Sequence, residues 1–320
     1  MRLRTKTPIL LAAALTVTLA GCAPQSGAAD DGVISVVAST NVYGSIAEAV
    51  GGDLIEVTSI INDPFQDPHS FEADARVQLA LSKADIVIEN GGGYDPFVDQ
   101  LLDGLDAPEQ TVLSAVELSP LESDGDEHAT DDHADEGEHE GHDHGAFNEH
   151  LWYHFPTVAA IVGELRDALS TLDEQNSRQY ESNAAALLAD LDALDQRASA
   201  LRSDHEDTGV AITEPVSLYL LEAAGLHNVT PAEFSAAIEG GSEVSAATLN
   251  EVLGLFASKQ AALLVYNNQT TSPETEALLA AAERAGAPVV PVTELLPDGT
   301  DYTGWMNANI DALESALGDA

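Results

Sequence analysis

Between Ala168 and Asp207 the chain contains neither proline nor glycine, the residues that most readily interrupt a helix. Leu187, Leu191, Leu194, Ala198 and Leu201 recur at helical spacing, and Tyr180, Ala184 and Leu188 widen the same face. Asp190, Asp192, Asp195, Gln196 and Arg197 fall between them and suit the solvent side. The spacing predicts one rigid helix over 173–204, a rod of about 45 Å. That is longer than a single small domain needs. On either side of it the pattern becomes strand, turn, helix, repeated. The chain is therefore expected to be α/β, with two lobes of mainly parallel sheet joined by this helix.

The 320 residues suffice for two cores. The formal charge of −44 argues against nucleic-acid partners and against electrostatic binding to anionic lipid. It attracts cations in general, although a salt-rich habitat accounts for it equally well. Residues 1–22 read as an export signal, with Arg2, Arg4 and Lys6 ahead of an apolar run from Ile9 to Ala20. Leu19-Ala-Gly-Cys22 fits the bacterial lipoprotein cleavage box, with Cys22 as the lipidated residue. Cys22 is also the only cysteine, which excludes intrachain disulfides, thiolate metal sites and cysteine nucleophiles. Residues 23–32 read as a tether.

The first lobe is expected over 33–172. Val33-Ile-Ser-Val-Val-Ala38 and Leu54 to Ile61 read as strands. The second runs into the loop Asn62-Asp-Pro-Phe-Gln-Asp-Pro-His69. Asp85 to Glu89 is a third strand, followed by Gly91-Gly-Gly93. That run lacks both GxGxxG spacing and a phosphate-loop lysine, so it reads as a tight turn rather than a nucleotide site. Residues 121–145 form a low-complexity insert with five of the ten histidines (His128, His133, His139, His142, His144) among eleven acidic residues. Such a tract cannot build a core and has the composition of a weak zinc-binding segment. Order resumes at Phe147-Asn-Glu-His150-Leu-Trp152, and Pro156 suits the first turn of a helix to Leu172. The second lobe, 205–320, repeats the alternation.

In parallel sheets, ligands gather beyond the carboxyl ends of strands. Val210-Ala-Ile-Thr-Glu214 and Val290-Pro-Val-Thr-Glu294 each put a glutamate there, His69 follows another strand, and His150 precedes a helix. Two imidazoles and two carboxylates form a reasonable ligand set for a borderline divalent cation such as zinc. Each residue also has an ordinary reading as a surface or helix-start group. His154 could share a helical face with His150.

Together, the lipoprotein box, Asp67-Pro-His69, the His-rich insert, His150-Leu-Trp152, the long middle helix and the Thr-Glu strand ends resemble the zinc-binding solute receptors of bacterial ABC metal importers. The resemblance covers nearly all of the mature chain. It implies one metal held between two lobes by His69 and His150 from the first, with Glu214 and Glu294 from the second. Glu214 lies twelve residues before Leu226, where the zinc receptors usually carry His and the manganese receptors Glu. Glu294 stands where the family usually has Asp, and Asp301 is an alternative fourth ligand. The implied protein is a lipid-anchored monomer on the outer face of the cell membrane. It captures Zn2+, with Mn2+ the alternative, and passes it to a permease and its ATPase. A zinc hydrolase or an adhesin are the rival classes. No HExxH or GxSxG motif supports the hydrolase, a shell of four protein ligands closes the site to catalysis, and no repeat or apolar patch supports the adhesin.

Overall fold

The computed structural model describes residues 32–105, 110–121 and 147–319. The expected export signal, Cys22, residues 23–31 of the tether and the histidines of the insert lie outside the described residues.

Two four-stranded parallel sheets carry the fold. In the first lobe, β1 (Ile34–Thr40), α1 (Asn41–Gly51), β2 (Ile55–Ile61), α2 (Ala75–Leu81), β3 (Ile86–Glu89), α3 (Phe97–Asp103), β4 (Thr111–Ser114) and the single turn α4 (Ala115–Leu118) follow in order. Next come α5 (Phe155–Leu172) and α6 (Ser177–His205). The second lobe comprises β5 (Gly209–Ile212), α7 (Leu218–Ala223), β6 (His227–Asn228), α8 (Ala232–Glu239), α9 (Ala246–Gly254), β7 (Leu263–Asn267), α10 (Pro273–Ala285), β8 (Val289–Val292) and α11 (Tyr302–Asp319). The strand orders are β2-β1-β3-β4 and β6-β5-β7-β8, so both sheets share one winding. In each, the order reverses beside the first strand, which opens a crevice at the carboxyl ends.

Strand burial fits parallel sheets covered on both faces: every residue of β3 and β7 is buried. The glycine run after β3 does make a turn. Gly91, Gly92 and Gly93 have φ of 75°, 66° and 93°, a region that side-chain-bearing residues seldom enter. Asp95 completes that turn by accepting from the backbone N–H groups of Asn90 and Gly91 at 2.7 and 2.8 Å.

The long helix is shorter at its start than the sequence predicts. Nothing forbids a helix at 173–176 by composition, yet the chain breaks there. The Asp173 carboxylate accepts from Nδ2 of Asn176 at 2.6 Å and from the Tyr180 hydroxyl at 3.2 Å. Such local side-chain bonds compete with the helical ladder. From Ser177 onward the expected face is buried: Tyr180, Ala184, Leu187, Leu191, Leu194 and Ala198. α6 packs against α5 and α1 of the first lobe and against α7 and α11 of the second. Arg197, expected in solvent, instead binds Asn307 and Asp311 of α11, both at 2.6 Å. Two short elements of the second lobe, β6 and α8, were not expected from the sequence.

One hydrophobic core runs continuously from β1 and β3 through Leu151, Trp152 and α6 to β5, β7 and Trp305, Met306 and Ile310 of α11. Hydrogen bonds tie the lobes as well. The Asn41 side chain pairs with both N–H and C=O of Leu296 at 3.0 and 2.8 Å. The Tyr302 hydroxyl donates to Trp152 O at 2.7 Å, and that of Tyr153 to Thr293 O at 2.8 Å. Among the described residues, no helix is long and apolar enough to cross a membrane.

Candidate metal centre between the lobes

The carboxyl ends of the two sheets face a cleft of about 730 Å3. His69, His150, Glu214 and Glu294 all line it, with Asp67, Glu149 and Glu239. No lysine or arginine is among the residues that line it.

Each wall is held by its own local structure. His69 lies in a one-turn helix, Pro68–Ser70, capped by Asp67, which accepts from His69 N–H at 3.0 Å and from the Ser70 hydroxyl at 2.7 Å. His150 is almost wholly buried, with its ring 5.2 Å from that of Trp152. Tyr94 packs on Trp152 at 4.8 Å and on His69 at 5.1 Å, so an aromatic bracket spans the two imidazoles. Oδ1 of Asn148 lies 2.7 Å from Nδ1 of His150, while Nδ2 of Asn148 donates to Pro215 O at 3.1 Å. The amide oxygen can only accept, so Nδ1 carries the proton and Nε2 keeps its lone pair toward the cleft. Burial, reinforced by His69, drives the His150 pKa down to about 3, so the ring is neutral and ready to ligate.

Glu214 follows β5 at the reversal of the second sheet and is buried. Its Oε2 accepts from Nδ2 of Asn267, at the end of β7, at 2.7 Å. Burial raises its pKa, against the opposing hydrogen bond from Asn267. Glu294 follows β8, where Oε1 of Gln269 accepts from the backbone N–H of Glu294 and Leu295 at 2.7 and 2.9 Å. Burial pushes the Glu294 carboxyl up to about 8, eased by the nearby Tyr94 hydroxyl. The two groups approach without closing a hydrogen bond of normal geometry: Oε1 of Glu294 and the Tyr94 hydroxyl are both buried and unpartnered. An unsatisfied buried carboxylate oxygen costs stability unless a cation or proton meets it.

The two alternative ligands lie elsewhere. Asp301 starts α11, accepting from Gly304 N–H at 2.7 Å, and lines a separate cavity with Ser45 and Asn183. His154 binds the Thr157 hydroxyl through Nδ1 at 2.7 Å and faces another cavity with Asp195, Arg202 and Glu222.

Two cleft residues escaped the sequence reading. Nε2 of His69 is 3.2 Å from Oε1 of Glu149, and Nε2 of His150 is 3.6 Å from Oε1 of Glu239. Glu149 stands beside His150 in the sequence, which was a usable signal. Glu239 ends the unexpected helix α8, and nothing local marked it. Burial, Glu149 and Glu214 raise the Glu239 carboxyl to about 7.

A cleft between two parallel-sheet lobes, rich in carboxylates and imidazoles and lined by no lysine or arginine, has the build of a bilobal receptor for a cationic solute. Residues 36–316 match the family of the zinc-uptake complex component A, periplasmic (ZnuA), and the chain belongs to that family. It is 26% identical over 315 residues to the zinc-binding lipoprotein AdcA of Streptococcus pneumoniae serotype 4, covering 97% of this chain and 60% of that protein. The chain thus spans about three-fifths of the length of that relative. It is 24% identical over 328 aligned positions to the manganese-binding lipoprotein MntA of Bacillus subtilis, covering 96% of this chain and 98% of that one. The fold is similar to that of the periplasmic zinc binding protein TroA from Treponema pallidum, with a TM-score of 0.70 at 19% identity, covering 89% of this chain and 99% of the other.

Proposed function

We propose that the chain is the extracytoplasmic receptor of an ABC metal importer, which captures a divalent cation between its lobes and delivers it to a permease and its ATPase. Zinc is the preferred cargo. His69, His150, Glu214 and Glu294 are its ligands, and Cys22 carries the lipid anchor. The observation that supports this most is that one cleft, lined by no lysine or arginine, holds both a neutral, pre-oriented His150 and a buried, unpartnered Glu294 oxygen.

The binding chemistry follows from the residues. Asn148 holds the imidazole of His150 in the ligating tautomer, and Gln269 and Asn267 fix the two glutamates. Without a cation, burial first and repulsion from neighbouring carboxylates such as Glu214 next keep a proton on Glu294 at neutral pH. A divalent ion supplies the missing positive charge and displaces that proton.

Manganese is the second reading, favoured by the carboxylate at Glu214 and by the similarity to MntA. At a site of nitrogen and oxygen donors, affinity nevertheless rises from manganese to zinc. Elemental analysis of protein purified without added metal, followed by competition titration with both ions, tests the assignment. Co-purified zinc, and preference for it in competition, is expected. Selective retention of manganese reverses the cargo, and failure to bind either ion tightly removes the receptor reading.

A further inference from the structure

The four proposed ligands leave Glu149 and Glu239 without a role, yet these two make the tightest convergence of donors in the cleft. One donor atom each from His69, Glu149 and Glu239 lies within 4.8 Å of the other two. Among the described residues, no other group of three or more His, Asp, Glu or Cys side chains meets so closely. Small rotamer changes bring such a set to the roughly 2.0–2.2 Å that zinc takes with nitrogen and oxygen.

Exposure ranks the cleft residues by depth. The side chains of His69, Glu149 and Glu239 are 29%, 19% and 25% exposed, against 2% for His150. The three therefore stand nearer the mouth than His150, and the buried, unpartnered Oε1 of Glu294 lies in the same cleft. Both lobes contribute. Glu149 is fixed by Nδ2 of Asn90, which donates to its carbonyl at 2.9 Å, and Glu239 closes the last turn of α8 in the second lobe. Glu239 also reaches inward, 3.6 Å from Nε2 of His150. An ion at the mouth already touches a group beside a deep ligand.

We propose that His69, Glu149 and Glu239 form an outer cation site, which a divalent ion occupies before it moves to His150, Glu214 and Glu294, with His69 common to both positions. The inference rests on the reading that the cleft takes a divalent cation. Its physical basis is stepwise exchange of water for protein ligands. A cation entering directly would shed its hydration shell before meeting Glu214 and Glu294, whereas the outer set replaces part of that shell at the surface. Two partly exposed glutamates at the cleft mouth also raise the local concentration of cations and hence the capture rate.

Stopped-flow measurement of zinc association and dissociation tests this on the full chain. The Trp152 indole beside His150 reports filling of the deep position. The variants are Glu149→Gln, Glu239→Gln and the double substitution, which keep shape and remove charge. The double variant is expected to associate about tenfold more slowly at low salt, with dissociation changed less than about twofold. Anomalous diffraction from wild-type crystals soaked in cadmium should place an ion against His69, Glu149 and Glu239. Wild-type association rates in the double variant overturn the proposal. So does an unchanged association rate with faster dissociation, which makes the two glutamates ligands of the deep ion. If the wild type itself binds no divalent ion tightly, the receptor reading fails and takes this inference with it.

Discussion

Asn148 reaches His150 in its own lobe and Pro215 in the other: Oδ1 lies 2.7 Å from Nδ1 of the imidazole, and Nδ2 donates to the carbonyl that follows Glu214. The Tyr219 hydroxyl adds a third tie, donating to Asn148 O at 2.7 Å. One side chain therefore sets both the tautomer of a proposed ligand and its distance from the opposite wall.

Asn148→Ala is expected to weaken zinc binding by about 10–100-fold, the usual cost of losing an orienting partner. The fold should survive, since Asn148 is no part of the apolar core. Competition titration against a chelator measures the loss, and melting curves check the fold. Wild-type affinity would show that packing against Trp152 alone orients the ring.

Glu214 separates the zinc and manganese readings. Glu214→Ala removes a proposed ligand and a compensating charge, and zinc affinity should fall by more than the about 10–100-fold of an orienting residue. Glu214→His keeps four donors, so it should retain zinc and bind manganese more weakly. Zinc binding by that variant should also be more pH-sensitive between about pH 7 and 5, where imidazole takes up its proton. If Glu214→Ala binds zinc as the wild type does, Glu214 is not a ligand.

Glu294 links cargo binding to protons. Its carboxyl is raised to about 8 in the metal-free protein, so at neutral pH it is largely protonated when folded and ionised when unfolded. Stability without metal should therefore decline as pH rises from the unfolded value of about 4.3 to about 8. Zinc binding near pH 7 should release close to one proton from this group, and the release should fade above about pH 8. Calorimetry in buffers of different ionisation enthalpy reads the proton count. Glu294→Gln should lose that proton and flatten the decline in stability.

The lobes are cross-tied at Asn41–Leu296, Tyr153–Thr293 and Tyr302–Trp152, and a single core passes between them. Wide hinge closure would break all of these at once. Scattering curves of the metal-free and zinc-loaded protein should nearly superimpose, with rearrangement confined to cleft loops. A large compaction on loading would contradict the rigid frame.

α6 is the simplest test of that frame. Leu191 is buried on the face shared by both lobes, and Leu191→Ala should cost about 2–5 kcal/mol in a denaturant titration. Loss at an exposed position such as Asp192 should be within about 0.5 kcal/mol.

Local rules made much of this protein legible. Period 3.6 marked the buried face of α6, apolar runs marked the parallel strands, and Thr-Glu after a strand marked Glu214 and Glu294, because each signal arises from neighbours in the chain. What the sequence left open depends on contacts distant in sequence or on local competition between bonds. The helix break at Asp173 required two side-chain bonds to outcompete a helical ladder that composition allowed. Arg197 belonged to the interface only because α11 returns beside α6. His154 and Asp301 were excluded from the cleft by the direction in which their own turns aim them. Glu239 joined it because α8 ends opposite His69, some 170 residues away in the chain. Sequence determined which groups could bind a cation; the facing of two lobes across one cleft decided which of them line it.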